Sequence, residues 1–260
     1  MNEPSYAIFD FDYTLIPHDA IFLFANYLLK KQPWRIFYIL PLLIAIPMGL
    51  LKLYGSKELK QVYLSILWRL RKEEVEEYAK KFVQEIIIPQ VHPELKQEIE
   101  LLKKQNKILI LNTASPDFFA KYIGEELGFD YTIATRVHLE ERQPFFAIIL
   151  GENNKSYEKI RRMIPYLPKE IQSQLSLYFP DNPKKPEYPV ILKNSISYSD
   201  SIADLPLLRL TEKAVLINPE NPELIREAKE KHWEIRNLYK PYKNKLHKYF
   251  LCLIQSLGLY

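Results

Sequence analysis

Asp10 and Asp12 stand one residue apart at the end of an apolar run, in the stretch "IFDFDYTLIPHDA". In a strand, residues i and i+2 share a face, so both carboxylates leave the strand end in the same direction. Two anions that close need a cation between them or a proton on one of them. Other groups able to do related chemistry close later apolar runs or open helices: Thr113 and Ser115 in "NTASP", Lys159 in "SYEKIRRM", and Asp200 and Asp204 in "YSDSIADLPLL". Hard carboxylate oxygens hold magnesium, and a lysine with a hydroxyl holds phosphate oxygens. Convergence of these residues would make a magnesium-assisted phosphate site.

The elements that must bring them together are readable from periodicity. Tyr6 to Asp10 reads as a buried strand, and "NKILILNTAS" from Asn106 as a second one that ends abruptly in small polar residues. A helix opened by "SPDFFAKYIGEEL" follows, then a strand over 131–134, a hairpin ending in "FFAIIL", and a helix from about Ser156. "SISYSDS", a helix, "AVLIN", a second helix and "WEIR" complete a strand and helix alternation. This pattern predicts an α/β fold, a doubly wound parallel sheet with helices on both faces. Ligands of such sheets bind beyond the carboxyl ends of the strands, where the acids, the hydroxyls and the lysine are expected. Between the first two strands, helical spacing runs over 19–31, 33–53, 57–71, 73–88 and 93–105, with Ser56 suited to cap one helix, which predicts a helical insertion.

Composition sets the outer bounds. The chain has 260 residues, 47% hydrophobic and 26% charged, so it can bury one sizeable core with a smaller module. A net charge of +4, with acids and bases interspersed, argues against a dedicated nucleic-acid binder. Cys252 is the only cysteine, which excludes an internal disulfide and a cysteine metal site and points to a reducing compartment, the cytoplasm. The first residues lack the basic, apolar and small-residue blocks of a signal peptide, so none is expected.

Three segments stand apart. "IFYILPLLIAIPMGLL", 36–51, carries no charge; as a helix it would rise about 24 Å, short of a hydrocarbon core, and Pro41, Pro47 and Gly49 interrupt it. It reads either as a buried helix pair or as an interfacial segment. Residues 164–190 hold six prolines and read as an irregular surface insertion with one short helix at most. The tail from Lys243 sets Leu246, Tyr249, Phe250, Leu253, Ile254 and Leu257 at helical spacing beside lysines, a basic amphipathic helix.

The motifs "DFDYT", "NTASP", Lys159 in "SYEKIRRM" and "YSDSIADLPLL", in that order and each at an expected strand or helix end, resemble the four motifs of the haloacid-dehalogenase superfamily. The match is best with its phosphoserine-phosphatase-like subfamily IB, which inserts a helical C1-type cap after the first motif. The resemblance implies a catalytic core of residues 1–16 and 105–240, a cap of 17–104, and 241–260 as an appended helix. It implies a magnesium-dependent phosphomonoester hydrolase in which Asp10 is the nucleophile and forms an aspartyl phosphate, while Asp12 is general acid and then base. Magnesium would be held by Asp10, the Asp12 backbone carbonyl and Asp200. Thr113 and Lys159 would bind phosphate oxygens, and Asp204 would orient Lys159 or a metal-bound water. Lys155 competes with Lys159 by helical spacing, but "EKIRRM" fits the motif better. The family's acidic substrate contact falls on Asp19, which equally suits an N-cap.

Tyr13 stands where many relatives have a small residue, "ERQPFFAIIL" lacks a glycine-rich hairpin, and the prolines of 164–190 lengthen a connection that is usually short. The stretch from Phe24 to Leu51 resembles the cap of bacterial phosphatidylglycerophosphate phosphatases of this superfamily. With the basic tail, it makes a lipid phosphate at the inner face of an anionic membrane one expected substrate. Soluble phosphomonoesters, phosphoserine among them, are the alternative, and an inactive membrane-surface binding module is a third reading.

Overall fold

Tyr6–Phe9 has four buried residues in a row, the pattern of a strand covered on both faces. It is the centre of the structure, a computed structural model that describes residues 4–178 and 191–260. Strands β1 (Tyr6–Phe9), β2 (Ile108–Pro116), β3 (Tyr131–Thr135), β6 (Leu192–Ser199), β7 (Thr211–Ile217) and β8 (Glu234–Arg236) form a parallel sheet in the order β3-β2-β1-β6-β7-β8. Strands β4 (Val137–His138) and β5 (Ile148–Ile149) make the separate antiparallel hairpin that the apolar "FFAIIL" predicts. The chain turns back at β1, with β2 on one side and β6 on the other, so the carboxyl ends of these three strands meet at the switch in strand order.

The two-residue period of β1 divides the core. Ala7 and Phe9 join Leu109, Leu111 and Phe119 on one face, and Tyr6 and Ile8 join Ile110, Ile160, Met163 and Leu207 on the other. The second face is covered by α7 (Tyr157–Met163), α8 (Lys169–Tyr178) and α9 (Leu205–Leu210), with α10 (Pro222–Glu230) against β7. The first is covered by α6 (Asp117–Leu127) and by helices of the insertion between β1 and β2: α1 (Ala20–Lys31), α2 (Ile39–Leu50), α3 (Ser56–Tyr63), α4 (Lys72–Phe82) and α5 (Pro93–Lys104). α5 lies against the sheet itself: Tyr198, stacked on Phe9 at 4.1 Å, donates to Glu98 at 2.6 Å.

The insertion is helical but more broken than its periodicity predicts. Pro33 opens a 3-10 segment before α2, α3 passes into a 3-10 turn at Leu64, and α4 runs into a π turn before Pro89, which lacks the N–H to continue it. Gly55 rather than Ser56 holds the N-cap of α3, and its N–H is taken by Glu58 at 2.8 Å. Of 164–190, α8 is the one short helix expected, and 179–190 lie outside the described residues.

The structure divides 36–51: Tyr38, Leu42 and Ala45 are buried, while Leu43, Ile44 and Leu50 expose 64%, 69% and 80% of their surface. By length and composition alone Pro33–Leu50 is apolar enough to cross a membrane, and 22% of it is buried. The tail forms the predicted helix, α11 (Lys245–Ser256), with its apolar face turned outward and part of its basic face turned to the protein. Leu246, Phe250 and Leu253 point outward, while Lys245, Lys248 and Cys252 line the cavity beside Asp10.

Candidate active site

β1 ends at Phe9, and the Asp10 N–H still pairs with the Tyr198 carbonyl of β6 at 3.0 Å, which holds the Asp10 side chain at the switch point. Tyr13 carries the chain away with φ at 58°, the left-handed region that disfavours a residue with a Cβ by roughly 1–2 kcal/mol. This accounts for the preference for a small residue at its position. Tyr13 is held there by α11: its hydroxyl meets Cys252 Sγ at 3.3 Å and the Lys248 ammonium lies 3.4 Å from its ring centre.

α7 enters the same place from the other face of the sheet. Lys159 Nζ donates to Asp10 Oδ1 and to Asp204 Oδ2, both at 2.7 Å, with only 2% of its side chain exposed. Of the two competing lysines, Lys159 reaches Asp10 and Asp204, while Lys155 lines the cavity. Ser199 at the end of β6 donates to Asp204 Oδ2 at 2.7 Å. Asp12 faces the insertion: its Oδ1 accepts the Ala20 N–H and its Oδ2 the Ser115 hydroxyl, each at 2.7 Å. Thr113 is fully buried; its Oγ1 accepts the Ser115 N–H at 3.0 Å, and Ala114 takes the place at the cavity wall. Asp19 does both things that its position allowed. It caps α1 by accepting the Ile21 N–H at 3.1 Å, and it lines the cavity.

Burial and charge separate the acids. Burial pushes Asp10 up, but the Lys159 ammonium holds it at about 6, so it is ionised at neutral pH. For Lys159 burial favours the neutral amine, and Asp10 with Asp204 outweigh it, so it stays charged. Asp12 accepts no hydrogen bond from a cation. Burial, reinforced by the charge of Asp19, raises it well above the usual carboxylate range. Asp200 is pushed up to about 8 by burial and by the charge of Asp10. Two neighbouring carboxyls driven apart in this way are matched to a nucleophile and a proton donor.

Several supporting residues escaped the motif reading. Asn112 Nδ2 donates to the Lys159 carbonyl at 3.0 Å and fixes the start of α7, and Asn154 Nδ2 donates to Asn112 Oδ1 and the Thr113 carbonyl. A buried asparagine inside the apolar run "ILILN" was the available signal for the first. From the insertion, Lys60 donates to the Ala114 carbonyl and to Asn153 Oδ1 at 2.7 Å, and burial lowers it to about 8. Asp10, Asp12, Asp200 and Asp204 thus open onto a cavity of about 570 Å³ whose other walls are Phe22, Ser56 and Lys60 of the insertion and Lys248 and Tyr249 of α11.

The chain is similar to known proteins. The profile of the haloacid dehalogenase-like hydrolase family matches residues 7–209. A histidinol-phosphatase of Neisseria meningitidis serogroup C (strain 8013) is 27% identical, over 89% of this chain and 97% of its own. A protein of unknown function from Bordetella pertussis Tohama I superposes with a TM-score of 0.68 at 20% identity, over 92% of this chain and all of its own. A phosphoserine phosphatase solved as a phospho-aspartyl intermediate analogue gives 0.53 at 17% identity, over 92% and 95% of the two chains. These structures share the fold. The profile runs from β1 through the Asp204 turn, across every strand end that carries an acid of the site, and the chain belongs to the haloacid dehalogenase-like hydrolase family.

Proposed function

We propose that the protein is a phosphomonoester hydrolase that works through an aspartyl phosphate on Asp10. The observation that carries this reading is the buried Asp10–Lys159–Asp204 contact at the switch point, which holds the Asp10 carboxylate ionised beside Asp12, whose carboxyl burial raises. Asp10 attacks phosphorus, and the bond to the leaving oxygen breaks as Asp12 gives that oxygen its proton. Asp12, now a carboxylate, takes a proton from water as the water attacks the acyl phosphate, which releases inorganic phosphate and Asp10. Lys159 stays charged and opposes the negative charge that builds on the phosphoryl oxygens.

The acids also suit a magnesium ion. The charge of Asp10 raises Asp200, a repulsion that a divalent cation between them relieves. No three His, Cys, Asp or Glu side chains gather into a cage among the described residues, but magnesium keeps several waters and needs only one or two carboxylates. Asp10, Asp200 and the Asp12 carbonyl would hold it, and it would supply positive charge to the phosphate. A measurable consequence follows without turnover. A carboxyl whose folded value lies above its unfolded value binds its proton more tightly in the fold. Stability from this source is therefore greatest below about pH 4 and falls as pH rises through the folded values of about 6 for Asp10 and about 8 for Asp200. The metal-free protein is expected to melt at a lower temperature at about pH 8.5 than at about pH 5 through this linkage, and magnesium is expected to raise the midpoint more at the higher pH. A midpoint indifferent to magnesium at both pH values would count against this ligand set.

The substrate we favour is a small soluble phosphomonoester, because Lys60, Lys155, Lys245 and Lys248, with the hydroxyls of Ser56 and Ser201 and the amide of Asn153, share the cavity wall beyond the acids. A second reading, a lipid phosphate met at an anionic bilayer, is favoured by the outward apolar faces of α2 and α11. A panel of p-nitrophenyl phosphate, phosphoserine, histidinol phosphate, glycerol 3-phosphate and phosphatidic acid in vesicles, each with magnesium, tests both. Release of phosphate from the soluble esters at least tenfold faster than from vesicles, by about 1.4 kcal/mol in transition-state free energy, is the expected result. The reverse order would favour the lipid, and no release from any of them would defeat the phosphatase reading.

A further inference from the structure

α11 is not a loose tail. Its last turns are tied to the insertion by the His18 ring, which meets Gln255 Nε2 and Tyr260 Oη at 3.1 Å each, and by Tyr38 and Tyr63, which bond the Ser256 carbonyl and hydroxyl at 2.7 and 2.9 Å. The same helix supplies one wall of the cavity beside Asp10.

On that wall the Lys248 ammonium has no hydrogen bond or ion pair among the described residues. It rests 3.4 Å from the ring centre of Tyr13 and 5.4 Å from that of Tyr242. Two other cations of the cavity are committed, Lys159 to Asp10 and Asp204, and Lys60 to the Ala114 carbonyl and Asn153. An ammonium held by two rings is already positioned, so little side-chain freedom is lost when an anion takes its three N–H groups. It faces the charges of Asp19 and Asp200 across the cavity, and Lys155 and Lys245 line the same wall region.

We propose that Lys248 is a specificity-determining residue, and that it pairs with an anionic group, a carboxylate or a second phosphate, on the leaving-group side of the phosphomonoester. The inference rests on the phosphomonoesterase reading of Asp10. It also explains why Tyr13 keeps a left-handed backbone: the ring that costs strain there is the platform that positions the ammonium.

Binding to the Asp10→Asn protein with magnesium tests this without turnover. The probes are 3-phosphoglycerate and glycerol 3-phosphate, which differ by a carboxylate in place of a hydroxymethyl group, and calorimetry reads both. The carboxylate ester is expected to bind about tenfold tighter or more, and the preference is expected to weaken with salt. Adding Lys248→Ala should remove the preference chiefly by weakening 3-phosphoglycerate, and Lys248→Arg, which keeps the charge and the ring contact, should retain it. Equal affinities in the parent, a preference that survives Lys248→Ala, an equal loss for both esters, or tighter binding of histidinol phosphate than of 3-phosphoglycerate would each overturn the inference. A wild-type protein that shows the preference but hydrolyses none of these esters would defeat the phosphatase reading and leave the anion subsite standing.

Discussion

Asp10→Asn is expected to lower kcat/KM for p-nitrophenyl phosphate by about 10³-fold or more, because a carboxamide cannot form the acyl phosphate. The fold should survive. Lys159 keeps its second partner, Asp204, at 2.7 Å, and the charge of Asp10 that pushes Asp200 up is gone. Circular dichroism and the melting midpoint should therefore stay close to wild type while turnover fails, which separates loss of the nucleophile from loss of structure. Asp12→Asn, by contrast, removes the proton donor and keeps the nucleophile. With a leaving group as good as p-nitrophenolate it should still place phosphate on Asp10, and mass spectrometry of the quenched protein should find the adduct. Near-normal turnover by Asp10→Asn would sink the covalent route.

The residues brought together at the switch point were legible because strand order does the work. Once "YAIF", "ILILN" and "SISYS" are read as parallel neighbours, their carboxyl ends must be adjacent, and Asp10, Ser115 and Asp200 follow. Lys159 was legible through its motif alone; by helical spacing Lys155 was an equal candidate, and only the contact with Asp10 and Asp204 decides. The partners of α11 were not legible. A stripe of leucines beside lysines has the same period whichever face turns inward, and what decides is whether polar partners wait on the other side. Tyr13, His18, Tyr38 and Tyr63 wait there, more than 190 residues away in the chain, and they draw Cys252, Gln255 and Ser256 inward while Leu246 and Phe250 stay out. His18, in the bend before α1, is buried in this contact, which lowers it to about 4 and keeps it neutral at physiological pH.

Lys159→Met removes the one cation that both Asp10 and Asp204 touch, in a place where the three side chains expose 2%, 10% and 3% of their surface. Two carboxylates left there without it must either destabilise the fold, by about 3–5 kcal/mol for a broken buried pair, or take up protons. Protonation is the cheaper path, and it disables the nucleophile. Lys159 is what lowers Asp10 against its own burial, so without it the Asp10 value moves up from about 6. The acid limb of the pH dependence of kcat/KM, which reports ionisation of the free nucleophile, should shift to higher pH by the same displacement. A further loss of about 10²–10³-fold should persist on the alkaline plateau, where Asp10 is ionised again but nothing opposes the charge on the phosphoryl oxygens. A purely structural role for Lys159 would lower activity equally at every pH. An unmoved acid limb in a folded Lys159→Met protein would therefore separate Asp10 from Lys159 and remove the reason for assigning the nucleophile to that carboxylate.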